Sequence, residues 1–72
     1  MLIKYRIIES KIKIEDISYV TYGIACCIGS EITETIFDIS LNRNDVETIC
    51  NILNKSNIPP VHFRDIVEDY TE

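Results

Sequence analysis

Tyr19-Val20-Thr21-Tyr22-Gly23-Ile24-Ala25-Cys26-Cys27-Ile28-Gly29-Ser30 is the stretch on which the fold turns. Its β-branched and aromatic residues suit a pleated, half-buried surface. Alternation places Val20, Tyr22, Ile24, Cys26 and Ile28 on one face, and Tyr19, Thr21, Gly23, Ala25 and Cys27 on the other. Large side chains on one side and small ones on the other describe a central strand, covered by helices on one face and crowded or bare on the second. Gly29-Ser30 then makes a tight hairpin turn, glycine supplying the positive φ.

On the N-terminal side, residues 2–8 alternate as a strand with Ile3, Tyr5 and Ile7 on one face and Lys4 and Arg6 opposite. From Ile8 the apolar phase flips to even positions, Ile12 and Ile14 standing against Lys11 and Lys13. Strict alternation makes such a flip the mark of a bulge or break, expected near Glu9-Ser10. The strand should run to about Ile14 and turn through Glu15-Asp16-Ile17-Ser18. On the C-terminal side, Glu31 to Ile39 reads as a polar edge strand. Thr33, Thr35, Phe37 and Ile39 are expected to face inward, and Glu34 and Asp38 to face solvent.

Two helices follow. Asn42 is a good N-cap, with Asp45 as a short-armed version of the capping-box acid. Val46, Ile49, Cys50 and Leu53 form one helical face, and the polar group from Asn54 to Asn57 suits a left-handed cap. Ile58 precedes Pro59 and should be extended, so Pro60 or Val61 opens the second helix. There Phe63, Ile66, Val67 and Tyr70 repeat the same spacing. The fold class is therefore α+β: a three-stranded antiparallel β-meander followed by two short C-terminal helices packed on one sheet face.

The 72 residues are expected to form one small domain. At this length folding buries only roughly 60% of the unfolded chain's surface, so help from a partner subunit is of value. The net charge of −5, with the seven basic residues scattered, argues against nucleic acid, where phosphate neutralisation supplies most of the affinity. The N-terminus is charged too early for a signal peptide, and no apolar run approaches the ~20 residues that span a bilayer. Three cysteines do not make a disulfide framework. A cytoplasmic location and no membrane association are expected.

Three segments taken together carry a resemblance: Tyr22-Gly23-Ile24 after a polar turn, Asp38-Ile39-Ser40 before a helix, and Pro60-Val61-His62-Phe63-Arg64-Asp65-Ile66-Val67-Glu68-Asp69-Tyr70 at the end. Over roughly residues 19–71 the chain resembles a family of short uncharacterised proteins, a domain of unknown function, from Clostridia and related Firmicutes. Members tend to end in a Pro-Val-His-Leu-Arg-Asp-Val-Val-Glu-Asp-Phe type of sequence. Here Phe63, Ile66 and Tyr70 are apolar replacements. The resemblance implies a bacterial cytosolic protein and brings no catalytic residue with it.

Two chemistries compete with a purely structural reading. His62, Asp65 and Asp69 lie on one ridge of the last helix, and with Glu15 or Asp16 they have the donor types for a divalent metal. No H-E-x-x-H or paired E-x-x-H spacing supports that, and a histidine in a first helical turn ordinarily serves the backbone. Cys26 and Cys27 are adjacent on a strand and point to opposite faces, so they neither chelate nor form a redox pair as C-x-x-C does. With Cys50 they read as small buried hydrophobes. Arg64 and Glu68 are an i, i+4 pair of opposite sign. Among the tyrosines, Tyr5, Tyr19, Tyr22 and Tyr70, two or more should be core. The reading reached is a non-enzymatic interaction or regulatory module without cofactor or metal, acting as a homodimer or in a hetero-complex. The outward residues His62, Arg64, Asp65, Glu68 and Asp69 are its partner surface. The rival is a small metal-dependent or thiol enzyme centred on His62.

Overall fold

The computed structural model describes residues 2–71. Strands β1 (Ile3–Ile14), β2 (Ile17–Ile28) and β3 (Glu31–Ser40) precede α1 (Arg43–Lys55), a 3-10 turn at Pro60–His62 and α2 (Phe63–Thr71). The strands form an antiparallel meander in the order β1-β2-β3. Tyr5, Ile24 and Cys26 from the sheet close one core with Val46, Ile49, Cys50 and Leu53 of α1 and Phe63 and Val67 of α2. Both helices thus lie on one face, and the expected α+β class is the observed one.

The first hairpin corrects two expectations. β1 and β2 pair in unbroken register from Ile3↔Ile28 to Ile14↔Ile17, with no bulge or break near Glu9-Ser10. The turn is Glu15-Asp16 alone, both at positive φ (51° and 66°), the backbone of a two-residue hairpin turn; Ile17 and Ser18 already belong to β2. The apolar phase flips because the buried side changes. As far as the Glu9↔Tyr22 pair, the odd face of β1 lies under the helices, and Arg43 of α1 ends that cover, 5.6 Å from the Tyr22 ring centroid and 3.7 Å from Glu9. Beyond it residues 10–20 run on as a two-stranded arm without helix or β3, which pairs with β2 only from Tyr22 to Ile28. The molecule is correspondingly elongated, 43 × 26 × 18 Å.

β3 differs more. Its register with β2 shifts twice, between Cys26 and Cys27 and between Tyr22 and Gly23-Ile24. The shift at Cys26 and Cys27 changes which parity of β3 faces the helices, and the other inserts two extra β3 residues between Ile36 and Ser40. Ile36, opposite Ile24, packs on the core, while Phe37 is 64% exposed, so the expected inward set Thr33, Thr35, Phe37 and Ile39 holds only for Ile39. Glu34, expected in solvent, lies opposite Cys26 and ion-pairs with Arg64 of α2. Asp38, at φ 52°, accepts a 2.5 Å hydrogen bond from Thr21 Oγ1. The carbonyl of Ile36 and the Cα of Phe37 arch so closely over Gly23 that any Cβ there would collide with backbone. Glycine is required for that approach rather than for a turn.

Helix α1 begins as expected, Asn42 Oδ1 accepting from Asn44 N–H at 2.9 Å. Asp45 does not close a capping box. Its carboxylate accepts from Ser40 Oγ (3.3 Å), and Ser40 Oγ in turn accepts from Asn42 N–H (3.0 Å). At the other end Asn57 takes positive φ, Asn57 N–H bonds Asn54 C=O, and Ile58 N–H bonds Leu53 C=O. That is the Schellman pattern the polar run implied. Pro59 is extended, Pro60–His62 forms the 3-10 turn, and α2 proper starts at Phe63 rather than at Pro60 or Val61.

One junction ties helices to sheet. Asn54 Oδ1 accepts from Tyr5 N–H at 2.8 Å, and Asn54 Nδ2 donates to Tyr5 C=O at 2.9 Å. Tyr5 sits on the edge strand, so the amide stands where a fourth strand's backbone would pair. Replacing Asn54 by Ala leaves the Tyr5 N–H without a partner and its C=O with the Cys50 thiol alone. We expect a loss of about 2 kcal/mol in urea unfolding, against less than about 0.5 kcal/mol for exposed Asn51→Ala. Equal midpoints for the two variants would refute the role given to Asn54.

Candidate functional site

The α2 surface follows from how the helix is anchored. Phe63 is fully buried with its ring edge-on to Tyr5 (5.0 Å, 60°), Val67 is buried, and Ile66 is partly buried against the core. These three positions turn His62, Arg64, Asp65, Glu68 and Asp69 outward, and all five are exposed. The structure therefore brings the expected partner-surface residues together on one side of α2. Arg64 does not pair with Glu68; its guanidinium donates to Glu34 Oε2 of β3 at 3.3 Å. Tyr70 does not join the core: it is 53% exposed.

Tyr70 instead borders a cleft of about 390 Å³, lined by Ile39, Ser40, Asp45, Thr48, Ile49 and Thr71. Its hydroxyls already have acceptors on the protein: Thr48 on Asn44 C=O, Thr71 on Val67 C=O, and Ser40 on Asp45. None of these three hydroxyls is paired with a histidine or thiol; Ser40 rests on the Asp45 carboxylate. Little in the sequence marks this cleft, because Ser40, Asp45 and Thr48 converge only through the bend between β3 and α1.

The residues of the rival reading are not assembled. No group of three His, Cys, Asp or Glu among the described residues is placed to hold a metal ion. Glu15 and Asp16 form the turn at the tip of the arm. His62 is exposed, its backbone N–H bonded to Pro59 C=O at 2.9 Å. All three cysteines are free and buried. Cys26 lies in the core, Cys27 on the opposite face of β2, and Cys50 donates its thiol to Tyr5 C=O at 3.3 Å. Burial pushes the Cys50 thiol up, away from the thiolate a nucleophile needs. The Tyr5 hydroxyl donates to Ile58 C=O at 2.6 Å. Burial first, and the Cys26 thiol and Glu34 carboxylate after it, hold that phenol up at about 12.

A second surface was only half visible in the sequence. No helix packs on the other sheet face: Leu2 and Ile32 stand exposed there at 77% and 57%, while Thr21, Gly23, Ala25 and Cys27 of the central strand are buried among their neighbours. The arm extends this face with further apolar side chains.

A two-layer α+β protein with one open sheet face and a polar outer helix is the class these features define. Within that class the chain belongs to a family described as "Family of unknown function (DUF6514)", whose model matches residues 1–72. No curated protein and no solved structure matches it. Among the described residues no helix is long and apolar enough to cross a membrane.

The raised Tyr5 and Cys50 values fix a pH dependence. Both groups are neutral acids in the fold and ionise more readily in the unfolded chain, so the unfolded state releases protons first as pH rises. Stability is full below the ordinary thiol range. It declines as pH passes that range and continues to fall between about 10 and about 12. Urea titrations from pH 7 to 11 should show the decline and a shallower slope for Tyr5→Phe. A wild-type profile flat across that range would contradict the burial of both groups.

Proposed function

We propose that the chain is a bacterial, cytoplasmic, non-enzymatic interaction or regulatory module that acts as a homodimer or in a hetero-complex. The observation that carries this reading is the exposed apolar margin of the sheet face that no helix covers, where Leu2 and Ile32 lie opposite the core in a chain with few residues to bury. Three buried free thiols suit a reducing compartment. The α2 surface is the recognition element for a second protein. Asp65, Glu68 and Asp69 offer carboxylates, while Arg64 is steadied by Glu34 and His62 stands beside them. Such a surface suits a partner with basic side chains, and charge complementarity there governs association rate and specificity.

The test is a pull-down from the native host with wild type, Arg64→Ala and the Asp65→Ala/Asp69→Ala pair. Each substitution is exposed and should change stability by less than about 0.5 kcal/mol, so lost binding would not report unfolding. A protein retained by wild type and lost by the variants is the expected result; identical captures would remove α2 as the surface. Elemental analysis of protein purified without chelator decides against the rival. Stoichiometric zinc, manganese or iron that disappears in His62→Ala would overturn the non-enzymatic reading.

A further inference from the structure

The arm is amphipathic in a way that folding of one copy does not use. On its side away from the helices the cross-strand rows are Ile8–Gly23, Ser10–Thr21, Ile12–Tyr19 and Ile14–Ile17; Gly23 and Thr21 are buried against β3, which leaves Ile8, Ile12, Tyr19, Ile14 and Ile17 as the apolar stripe. On the other side they are Lys11–Val20 and Lys13–Ser18. No residue from 8 to 20 is buried, and Ile14 and Ile17 at the tip are each more than half exposed. A two-stranded ribbon with nothing packed on it is marginal in water, so an apolar stripe of this length needs a cover.

The charge pattern says what the cover is. The tip turn carries Glu15 and Asp16, and the root of the same face carries Arg6, with Lys4 one row further on. Among the described residues neither Glu15 nor Arg6 has an ion pair, and Asp16 has only a 4.0 Å contact with exposed Lys13. Acid at one end and base at the other complement an inverted copy of themselves. Glu15 also stands at positive φ, where Asn or Gly would serve the turn better, so the turn itself does not call for an acid there.

We infer that two copies associate by packing their arms face to face and antiparallel, each acidic tip resting against Arg6 at the root of the other arm. This rests on the reading of the chain as an assembly and names a second copy as the occupant of the arm. A two-fold axis crossing the strands near the Lys11–Val20 pair sets Ile8 of one copy over Ile14 of the other, and Ile12 over Ser10. The exposed Phe37, arched over Gly23, then meets Ile17 of the second copy. The contact is isologous, so it closes at two.

Sedimentation and light scattering of the full chain at micromolar concentration test this. Wild type should be a dimer. Ile14→Ser with Ile17→Ser should weaken it at least about tenfold while leaving the far-UV circular dichroism unchanged, since neither side chain serves the core. Arg6→Glu and Glu15→Lys should each weaken self-association by placing like charges together. Mixed in equal amounts, those two variants should form a heterodimer, because both contacts then pair opposite charges. A dimer indifferent to the serine substitutions overturns the arm contact and leaves an assembly by another surface standing. A mixture that stays monomeric while wild type dimerises overturns the antiparallel order of the arms. A wild-type chain that is monomeric throughout the concentration range overturns both the arm contact and the homodimer.

Discussion

Tyr5 is the constraint around which the molecule is assembled. Its peptide group is bound in both directions by the Asn54 amide, its carbonyl also takes the Cys50 thiol, its hydroxyl reaches Ile58, and its ring meets Phe63 edge-on. One residue of β1 therefore fixes α1 through its last turn, the linker through the Ile58 carbonyl, and α2 through its first buried side chain. None of these contacts is individually large, a hydrogen bond being worth about 1 kcal/mol net. Their weight comes from location. They satisfy an edge strand's backbone and a phenol in a core too small to offer alternatives, and an unsatisfied group there would cost more than the bond contributes.

The same junction shows what was legible in the sequence and what was not. Val46, Ile49, Cys50 and Leu53 announced themselves by helical spacing, and Asn42 and Asn57 by cap chemistry, because both depend on neighbours within one turn. The meander was legible because alternation and Gly29 are local. Asn54 as a strand mimic was not, since its partner lies 49 residues away. Nothing in the sequence spacing marks a side-chain amide that pairs with an edge strand.

The errors in β1 and β3 have opposite causes. In β1 a phase flip suggested a bulge, but the backbone is regular and the environment changes: Arg43 ends the helical cover at Glu9 and Tyr22, and the apolar residues move to the other side. In β3 a regular alternation suggested a regular strand, but the backbone shifts register twice, carrying Glu34 to the helix side and Phe37 out. Periodicity reports the product of backbone geometry and environment, and one sequence cannot divide that product into its factors. Gly23 was the available clue. A glycine inside an otherwise strong strand marks a close backbone approach, and here it marks where β3 arches over β2.

The candidate surfaces separate along the same line. The α2 residues were found because a helix anchored by Phe63 and Val67 must expose the positions between them. The arm was not, because its significance lies in what it lacks. Among the described residues every buried hydrophobic side chain is on α1, on α2 or in the half of the sheet on which they pack. Residues 8–20 contribute none of them. A ribbon required only to connect β1 to β2 is satisfied by polar alternation and a favourable turn. This one places Ile8, Ile12, Ile14, Ile17 and Tyr19 on a single side and an acidic, strained turn at its tip. Solubility disfavours such a stripe and folding of the monomer does not need it. The contact proposed between two copies gives that stripe a physical rationale.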